Sequence, residues 1–278
     1  MVRELELTKL RLEPLKLDDL SGATTKSKTD KRMTTVVGIK SSNGIIISSD
    51  SQGTNDFMKS LEISKIFQIN KSIGVGLAGD IGHISVFVDE LKKTIGDEHY
   101  DNELDLRQKL DNVVCNLLQR FNVQRSQRLG FEQTMSLFDV SAVLGAKWGD
   151  NKFALYRLRL TPKPWVYPVE NYAGIGTGED YAELLMRQQS RAIPAGLEFN
   201  PINYNIWISM VTVNEIKAFE PNTGGTTHVA IIDENGFRIM DKTTVIELYN
   251  QYRRAIAEQI APRFNISVDS AMALYPDP

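Results

Sequence analysis

TTVVGIKSSNGIIISSD, residues 34–50, is the stretch of sequence that decides the fold. It holds two short runs rich in β-branched residues, 35–40 and 45–49, and Ser42-Asn43-Gly44 separates them. An Asn-Gly pair between β-branched runs is a strong hairpin signal. The sequence therefore predicts two antiparallel strands, the first of which begins almost at Thr34.

The remainder of the chain alternates runs of strands with pairs of helices. Apolar residues spaced three and four apart predict helices, whereas short β-branched runs bounded by Gly, Asn and Asp predict strands. The predicted elements are strands at 65–69 and 73–78, helices around 84–91 and 103–125, strands at 139–146 and 152–160, a glycine-rich turn at 174–178, helices at 179–191 and 202–218, strands at 227–232 and 236–240, and a helix at 244–260.

This order predicts an α+β fold, a four-layer α-β-β-α sandwich in which helices cover the outer faces of two antiparallel sheets. Residues 34–260 contain no internal repeat and no linker, so we expect one domain there. Residues 1–33 are polar and lack apolar periodicity. We interpret them as a leader or propeptide, although an ordinary polar terminus has the same texture. We expect residues 261–278 to form a C-terminal tail.

The composition argues against several classes of function. Of 278 residues 42% are hydrophobic, which supports a sizeable core, and 32 basic residues nearly balance 35 acidic ones. We therefore expect neither a nucleic-acid partner nor a membrane partner. The N-terminal segment lacks the apolar stretch of a secretion signal, and no run approaches the roughly 18 apolar residues of a membrane span. The single cysteine, Cys115, permits no disulfide within the chain. We expect a soluble, cytoplasmic protein.

Thr34 is the best candidate for a nucleophile. A hydroxyl needs a base to take its proton, and the α-amine of the same residue can be that base once the residue is a free N-terminus. An α-amino group titrates near pH ~8, so a large share of it is neutral at physiological pH. A threonine at the start of a strand, behind a removable leader, supplies both groups.

The sequence around Thr34 resembles the opening of mature proteasome β subunits, which are N-terminal nucleophile hydrolases. The nucleophile, the glycine at Gly38, the acidic Asp50 and a second threonine at Thr54 stand in the same register. Four later segments resemble the family's lysine-bearing strand, its glycine turn, its Gly-Ser-Gly turn and its Asp-x-x-Ser-Gly-Gly segment. In this chain they read KIFQI at 65–69, GLAGD at 76–80, GTG at 176–178 and EPNTGG at 220–225.

The resemblance implies that Thr34 attacks the substrate. It also implies that Asp50 and Lys65 form a buried ion pair, which orients Thr34 and lowers the pKa of its hydroxyl. An ammonium near that hydroxyl stabilises the developing alkoxide. From the residues alone, Asp50 as a turn cap and Lys65 as a solvated charge on a sheet edge stay open as alternatives.

The same resemblance implies an oxyanion hole and a supporting network. The backbone N–H of Gly76 would donate to the oxyanion, a contribution of about 3 kcal/mol in comparable sites, with Gly76 as a plain turn residue the alternative. Thr177, Glu220 and Thr223 would form a network of hydroxyl and carboxylate groups around the free amine. Thr177 stands where the family has serine. Glu220 stands where it has aspartate, which adds one methylene.

Met33 precedes Thr34 where proteasome precursors have glycine. Either self-cleavage of the leader is slow, or Met33 is the translation start and its removal exposes Thr34. The related bacterial two-component ATP-dependent protease uses the second route. The string DSQGT at 50–54 also resembles the Gly-Asp-Gly-Gln-Ala-Thr segment of that protease.

The resemblance implies a threonine-type endopeptidase that acts through an acyl-enzyme on Thr34 after autocatalytic removal of the leader. It further implies a homo-oligomeric ring, six-fold or seven-fold, whose chamber admits peptides or unfolded proteins. A related ring subunit or an unfolding ATPase would be the partner. This chemistry needs no metal and no organic cofactor. A non-catalytic ring subunit of the same fold and a transpeptidase that uses the same acyl-enzyme are the alternatives.

Other motifs are weak. The glycine-rich stretch at 174–178 lacks the GxGxxG spacing of a dinucleotide site. His83, His99 and His228 stand far apart, without Cys or carboxylates at metal-ligand spacing. No GxSxG motif indicates a serine hydrolase.

Overall fold

The computed structural model describes residues 34–54, 59–60, 62–97, 100–129, 140–160, 165–191, 201–220 and 223–275. They belong to one compact unit, Arg32–Pro278. The predicted leader, residues 1–33, lies outside the described residues. In chain order the described elements are β1 (Thr35–Ser41), β2 (Gly44–Ser49), β3 (Gly53–Thr54), β4 (Lys59–Ser60), β5 (Ile66–Asn70), β6 (Ile73–Gly79), α1 (Ile81–Ile95), α2 (Glu103–Leu129), β7 (Val140–Trp148), β8 (Lys152–Arg159), β9 (Trp165–Val169), β10 (Tyr172–Gly176), α3 (Glu179–Arg191), α4 (Pro201–Phe219), β11 (His228–Asp233), β12 (Gly236–Ile239), α5 (Lys242–Phe264) and α6 (Val268–Met272).

The strands form two five-stranded sheets. The first has the order β10-β1-β2-β11-β12 and the second β5-β6-β7-β8-β9, while β3 and β4 pair as a separate ribbon. All the pairings are antiparallel. The predicted hairpin is confirmed, because Ser41 pairs with Gly44 at the end of the β1–β2 ladder and Asn43 lies in the turn.

Three apolar clusters produce the layers. The cluster between the sheets joins Val36 and Ile47 of the first sheet to Ile66 and Val143 of the second. Another cluster packs α1 and α2 on the outer face of the second sheet, and a third packs α3, α4 and α5 on the outer face of the first. Alternate residues of β1 and β2 therefore face different clusters, which explains why consecutive residues, Val36-Val37 in β1 and Ile45-Ile46-Ile47 in β2, are apolar. The predicted four-layer sandwich is confirmed.

Helix α4 is buried on most of its sides. It packs on β1 and β2 and is flanked by α3 and α5, and Tyr204 and Trp207 are among its fully buried side chains. Its polar contact with the sheet is Ser209 Oγ, 2.7 Å from Ser48 Oγ. Across the described ranges, the helices are too short or too polar to cross a bilayer.

Four strands are missing from the sequence-based prediction: the two-residue strands β3 and β4, and the longer strands β9 and β10. β9 contains Pro168, and a proline is tolerated there because β9 is an edge strand. β10 covers part of the stretch predicted as a glycine-rich turn, and it forms the other sheet's edge beside β1. Edge strands have weak patterns because they bury fewer side chains and can carry Gly and Pro.

Residues 261–275 belong to the segment that the sequence predicts as a C-terminal tail, and they contain helical structure. Helix α5 continues through Pro262 to Phe264, and α6 then folds back onto it. Ala271 of α6 is fully buried against Ala257 and Ala261 of α5. Proline in the last turn removes one helical hydrogen bond without ending the helix at once, which is why the predicted end at 260 was too early.

Gly76 lies in the narrow space between the two sheets, which yields a stability prediction. A Cβ at Gly76 would lie 2.5 Å from Val36 Cγ1 and 2.8 Å from Ile47 Cγ2, closer than packed atoms can approach. We expect Gly76→Ala to lower the free energy of unfolding by roughly 2 kcal/mol. Urea denaturation followed by circular dichroism measures the change.

The matched control is Gly82→Ala on the exposed side of α1, where a Cβ would meet only Asp80 Oδ1 at 3.2 Å. Alanine should be neutral or gain up to about 1 kcal/mol at that helical position. Equal effects of the two substitutions would contradict the packing role of Gly76.

Candidate functional site

The carboxylate of Asp50 is the centre of the site. Asp50 directly follows β2 and is fully buried. Its Oδ1 accepts from Lys65 Nζ at 2.8 Å and from the Thr35 backbone N–H at 2.9 Å. Its Oδ2 accepts from the backbone N–H groups of Gln52 and Gly224, each at 3.2 Å. Four donors therefore compensate the desolvation of one buried charge.

Lys65 reaches Asp50 from the second sheet. It lies immediately before β5, is 5% exposed, and its carbonyl accepts from the Leu77 N–H of β6 at 2.8 Å. Burial lowers the pKa of Lys65 below its usual value, while the charge of Asp50 and their hydrogen bond oppose that shift. The predicted ion pair is thus present and buried, so Lys65 is not a solvated edge charge. Asp50 caps its own turn through the Gln52 N–H and also holds Lys65.

Thr34 directly precedes β1 and is 7% exposed. Side chains alternate along a strand, so Thr34 shares the face of Val36, which packs between the sheets with Ile66. Lys65, next to Ile66, lies on the opposite side of that space. This alternation therefore directs the Thr34 side chain into the space between the two sheets, where Lys65 approaches from the second sheet.

Thr177 and Gly176 fix the backbone at Thr34. The Thr177 N–H donates to the Thr34 carbonyl at 3.0 Å. A Cβ at Gly176, whose φ is +92°, would lie 1.8 Å from that carbonyl oxygen, so only glycine allows β10 to approach so closely. The buried Thr177 Oγ1 has no hydrogen-bond partner in the described part of the chain.

Thr223 contacts the residue after the candidate nucleophile. Its Oγ1 lies 3.3 Å from Thr35 Oγ1, on the face of β1 that is turned away from the second sheet. The backbone carbonyl of Glu220, at the end of α4, accepts from the Thr223 N–H at 2.9 Å. Both residues therefore border the site, and the role predicted for the Glu220 carboxylate stays a prediction.

Gly224 connects this segment to Asp50. Its carbonyl accepts from Ser51 N–H at 3.1 Å and Gln52 N–H at 3.0 Å. A Cβ at Gly224 would lie 2.3 Å from Gln52 Oε1, so the Gln52 side chain would have to move to admit a larger residue. The sequence motif contained Gly224, but only the fold shows what it contacts.

Gly76, the predicted oxyanion donor, is oriented away from the site. Since the Leu77 N–H donates to the Lys65 carbonyl on the β5 side, alternation turns the Gly76 N–H towards β7.

Gly79 lies three residues further along β6 than Gly76. Its N–H points to the same side of the strand as the Leu77 N–H, and it lies past the residue pair at which the β5–β6 ladder ends. Gly79 has a φ of +142°, and the preceding Ala78 neighbours Gly176, beside Thr34. Gly79 is therefore the better-placed donor. Locating it requires the strand register, which the sequence does not provide.

Lys217 is a second lysine near Asp50 that the sequence analysis missed. It lies in the last turn of α4, where Nζ donates to Thr227 Oγ1 at 2.5 Å and to Asn214 Oδ1 at 3.1 Å. Burial lowers the pKa of Lys217 to about 8, with Asp50 raising it and Lys65 lowering it further. A lysine in a helix with long apolar runs was the signal that could have revealed it.

The described residues contain no group of three His, Cys, Asp or Glu side chains that could hold a metal ion. His228, at the start of β11, has a pKa lowered by burial. Among the described residues, the contacts of the site come from hydroxyls, backbone N–H groups, the Asp50 carboxylate and the ammonium groups of Lys65 and Lys217.

Comparison with known proteins gives a family match. A model of the family described as "Proteasome subunit" matches residues 31–192. The chain is 31% identical to the proteasome subunit alpha of Methanosphaerula palustris over 93 residues, 33% of this chain and 38% of the relative. It is 32% identical to that of Methanoregula boonei over 91 residues, 32% and 38% of the two chains. It is 39% identical to that of Methanoculleus marisnigri over 62 residues, 22% and 26%.

The chain thus spans less than two fifths of the length of these relatives. Their names contain "alpha", whereas the motifs around Thr34 resemble β subunits. The comparisons and the sequence motifs thus point to the same family. They differ on the type of subunit, alpha for the relatives and β for the motifs.

The lowered pKa of Lys217 gives a prediction about stability. Between about pH 8 and its ordinary value of 10.5, the unfolded chain holds a proton on Lys217 that the folded chain has lost. Folding stability therefore rises with pH across this window, by at most about 3 kcal/mol. We expect Lys217→Met to remove that rise.

The measurement is urea denaturation of both proteins from pH 7 to pH 10.5. The free energy of unfolding of the variant should exceed that of the wild type at pH 7, and the two should converge at high pH. Parallel pH curves would show that Lys217 titrates normally.

Proposed function

Because the chain belongs to the proteasome subunit family, we propose that it is a threonine-type endopeptidase whose nucleophile is Thr34. The observation that carries the proposal is the double contact of Asp50 Oδ1, with Lys65 Nζ at 2.8 Å and with the Thr35 N–H at 2.9 Å. One buried oxygen thereby fixes both an ammonium and the backbone directly after Thr34. A scaffold has no need of this arrangement, since apolar residues would stabilise the same position as well.

Removal of residues 1–33 frees the α-amine of Thr34, which acts as the general base. The amine takes the proton of the Thr34 hydroxyl as Oγ attacks the carbonyl carbon of the scissile peptide bond. The tetrahedral intermediate collapses, the C–N bond breaks, and the leaving amine takes the proton. Water, activated by the same amine, then hydrolyses the ester and releases Thr34.

Two groups stabilise the negative charge in this mechanism. The Lys65 ammonium lowers the pKa of the Thr34 hydroxyl through its charge. The Gly79 N–H, at the open end of β6, donates to the oxyanion of the tetrahedral intermediate. The Thr177 hydroxyl, which has no partner among the described residues, is available to the free amine.

The substrate class follows from the same proposal. An acyl-enzyme on Thr34 accepts peptide bonds, so the substrates are peptides or unfolded proteins. We extend the proposal to a homo-oligomeric ring that encloses the sites, with a related ring subunit or an unfolding ATPase as partner. Formation of the acyl-enzyme itself needs none of these partners.

A non-catalytic ring subunit is the second candidate function. The names of the matched relatives, proteasome subunit alpha, favour it over the peptidase. Their alignments cover at most 33% of this chain, so they leave the type of subunit to experiment. In this second function Thr34 stays internal and is never released as a terminus.

Intact mass and peptidase activity together separate the two functions. We expect the purified protein to lack residues 1–33 by intact-mass measurement and to hydrolyse a panel of fluorogenic peptides. Thr34→Ala should reduce kcat/KM at least about a thousandfold, because it removes the nucleophile. Circular dichroism should show an unchanged fold.

Thr226→Ala is the matched control, since Thr226 lies in the neighbouring segment and outside the contacts of Asp50 and Thr34. Its activity should stay within twofold of the wild type. A protein that retains residues 1–33 and shows no peptidase activity would support the non-catalytic subunit instead.

The proposed mechanism also predicts how kcat/KM depends on pH. The mechanism needs Lys65 charged, so activity falls as pH rises through the lowered pKa of Lys65. Asp50 raises that pKa, so Asp50→Asn should move the alkaline limb of kcat/KM to lower pH by about one unit or more. The acidic limb, set by the α-amine near pH ~8, should move far less.

Asp241→Asn is the control for this measurement, because Asp241 caps α5 on the surface and asparagine is an equally good cap. Its pH profile should match that of the wild type. An alkaline limb unaffected by Asp50→Asn would exclude Lys65 as the titrating group.

A further inference from the structure

The last turn of α4 is tied to the start of β11 by side chains that the proposed mechanism does not use. Lys217 Nζ donates to Thr227 Oγ1 at 2.5 Å and to Asn214 Oδ1 at 3.1 Å. Thr227 Oγ1 in turn donates to Asn214 Oδ1 at 2.8 Å. The three groups form a closed triangle, which we call the Lys217 clamp.

The clamp lies at the base of the connection between α4 and β11, and this connection enters the site. Gly224 donates its N–H to Asp50 Oδ2 at 3.2 Å and accepts from Ser51 and Gln52. Thr223 contacts Thr35 from the same connection. All these contacts are made within four residues of Thr227, so a shift at the clamp displaces them together.

The clamp is an unusual way to hold a loop. Both acceptors of Lys217 in the triangle are neutral oxygens, although the ammonium is largely removed from water. Placing a charge there costs free energy that a methionine of similar length avoids. The lowered pKa of Lys217 reflects that cost. Stability alone therefore does not account for a lysine at this position.

We propose that Lys217 is a positioning residue that clamps the α4–β11 connection so that Gly224 stays hydrogen-bonded to Asp50. Its consequence for catalysis rests on the proposed peptidase function, whereas the positioning itself does not. Asp50 and Lys65 also face Lys217 closely enough for their charges to affect it. Lys217 thus acts on the ion pair through Gly224 and through its charge.

The test is hydrogen exchange at the backbone amides of Ser51, Gln52 and Gly224, measured by NMR on the full chain. Lys217→Met removes the donor, so we expect these three amides to exchange about tenfold faster or more. Amides within the β1–β2 ladder should keep their rates. Thr227→Val, which removes the hydroxyl that accepts from Lys217 and donates to Asn214, should give the same pattern.

Lys242→Met is the matched control, because Lys242 is exposed and approaches Thr226 Oγ1 of the same connection at 3.5 Å. In this variant the backbone amides of Ser51, Gln52 and Gly224 should exchange at the wild-type rate. A double variant with Lys217→Met and Thr227→Val should add little to either single change. Equal rates in Lys217→Met, Thr227→Val and Lys242→Met would overturn the clamp.

A kinetic measurement separates this inference from the proposed function. In active protein, Lys217→Met should reduce kcat about tenfold with little change in KM, because the ion pair and not the substrate is displaced. If the wild type hydrolyses no peptide, the peptidase proposal fails, and the exchange rates alone decide the clamp. If kcat and KM are unchanged while exchange accelerates, positioning of the loop stands and its catalytic consequence is refuted.

Discussion

The burial of one carboxylate, that of Asp50, is the constraint on which the site depends. A fully desolvated negative charge is tolerated only when hydrogen-bond donors surround it. The four donors come from separate parts of the chain: Thr35 in β1, Gln52 after β2, Lys65 before β5, and Gly224 in the α4–β11 connection. Only the packing of one sheet on the other brings Lys65 to the first sheet. The sandwich therefore supports the site, and the site holds one end of the sandwich together.

The same constraint bears on the choice between a peptidase and a non-catalytic subunit. A buried ion pair contributes little net stability compared with well-packed apolar residues. Asp50 and Lys65, with Lys217 close enough to interact with both charges, are three ionisable groups at positions that a purely structural subunit could fill with apolar side chains. The names of the relatives point the other way, but they rest on a third of the chain or less. The local chemistry thus favours catalysis, and the family assignment is common to both functions.

The sequence predicts those features that depend on neighbouring residues. The Asn-Gly hairpin and the helix at Glu179–Arg191 follow from local patterns. The pairing of Asp50 with Lys65, residues far apart in the sequence, is implied by the family resemblance alone. Edge strand β9, with Pro168, and the alternation that turns Gly79 rather than Gly76 towards Lys65 depend on which strands pair and in which register. Lys217 is hidden for a related reason. The single lysine of α4 becomes meaningful only when the fold places Thr227 beside it and Asp50 within the range of its charge.

The origin of the four donors has a consequence for activation. None of them is the α-amine of Thr34, so the ion pair can form while Thr34 is still linked to Met33 through an amide. An amide nitrogen cannot accept the hydroxyl proton, because its lone pair is delocalised into the carbonyl. In the proposed mechanism the uncleaved chain therefore already contains the charged groups and lacks only the base. Activation then requires the breaking of one peptide bond and no rearrangement of the buried charges, which is consistent with a site held by the fold and not by its own terminus.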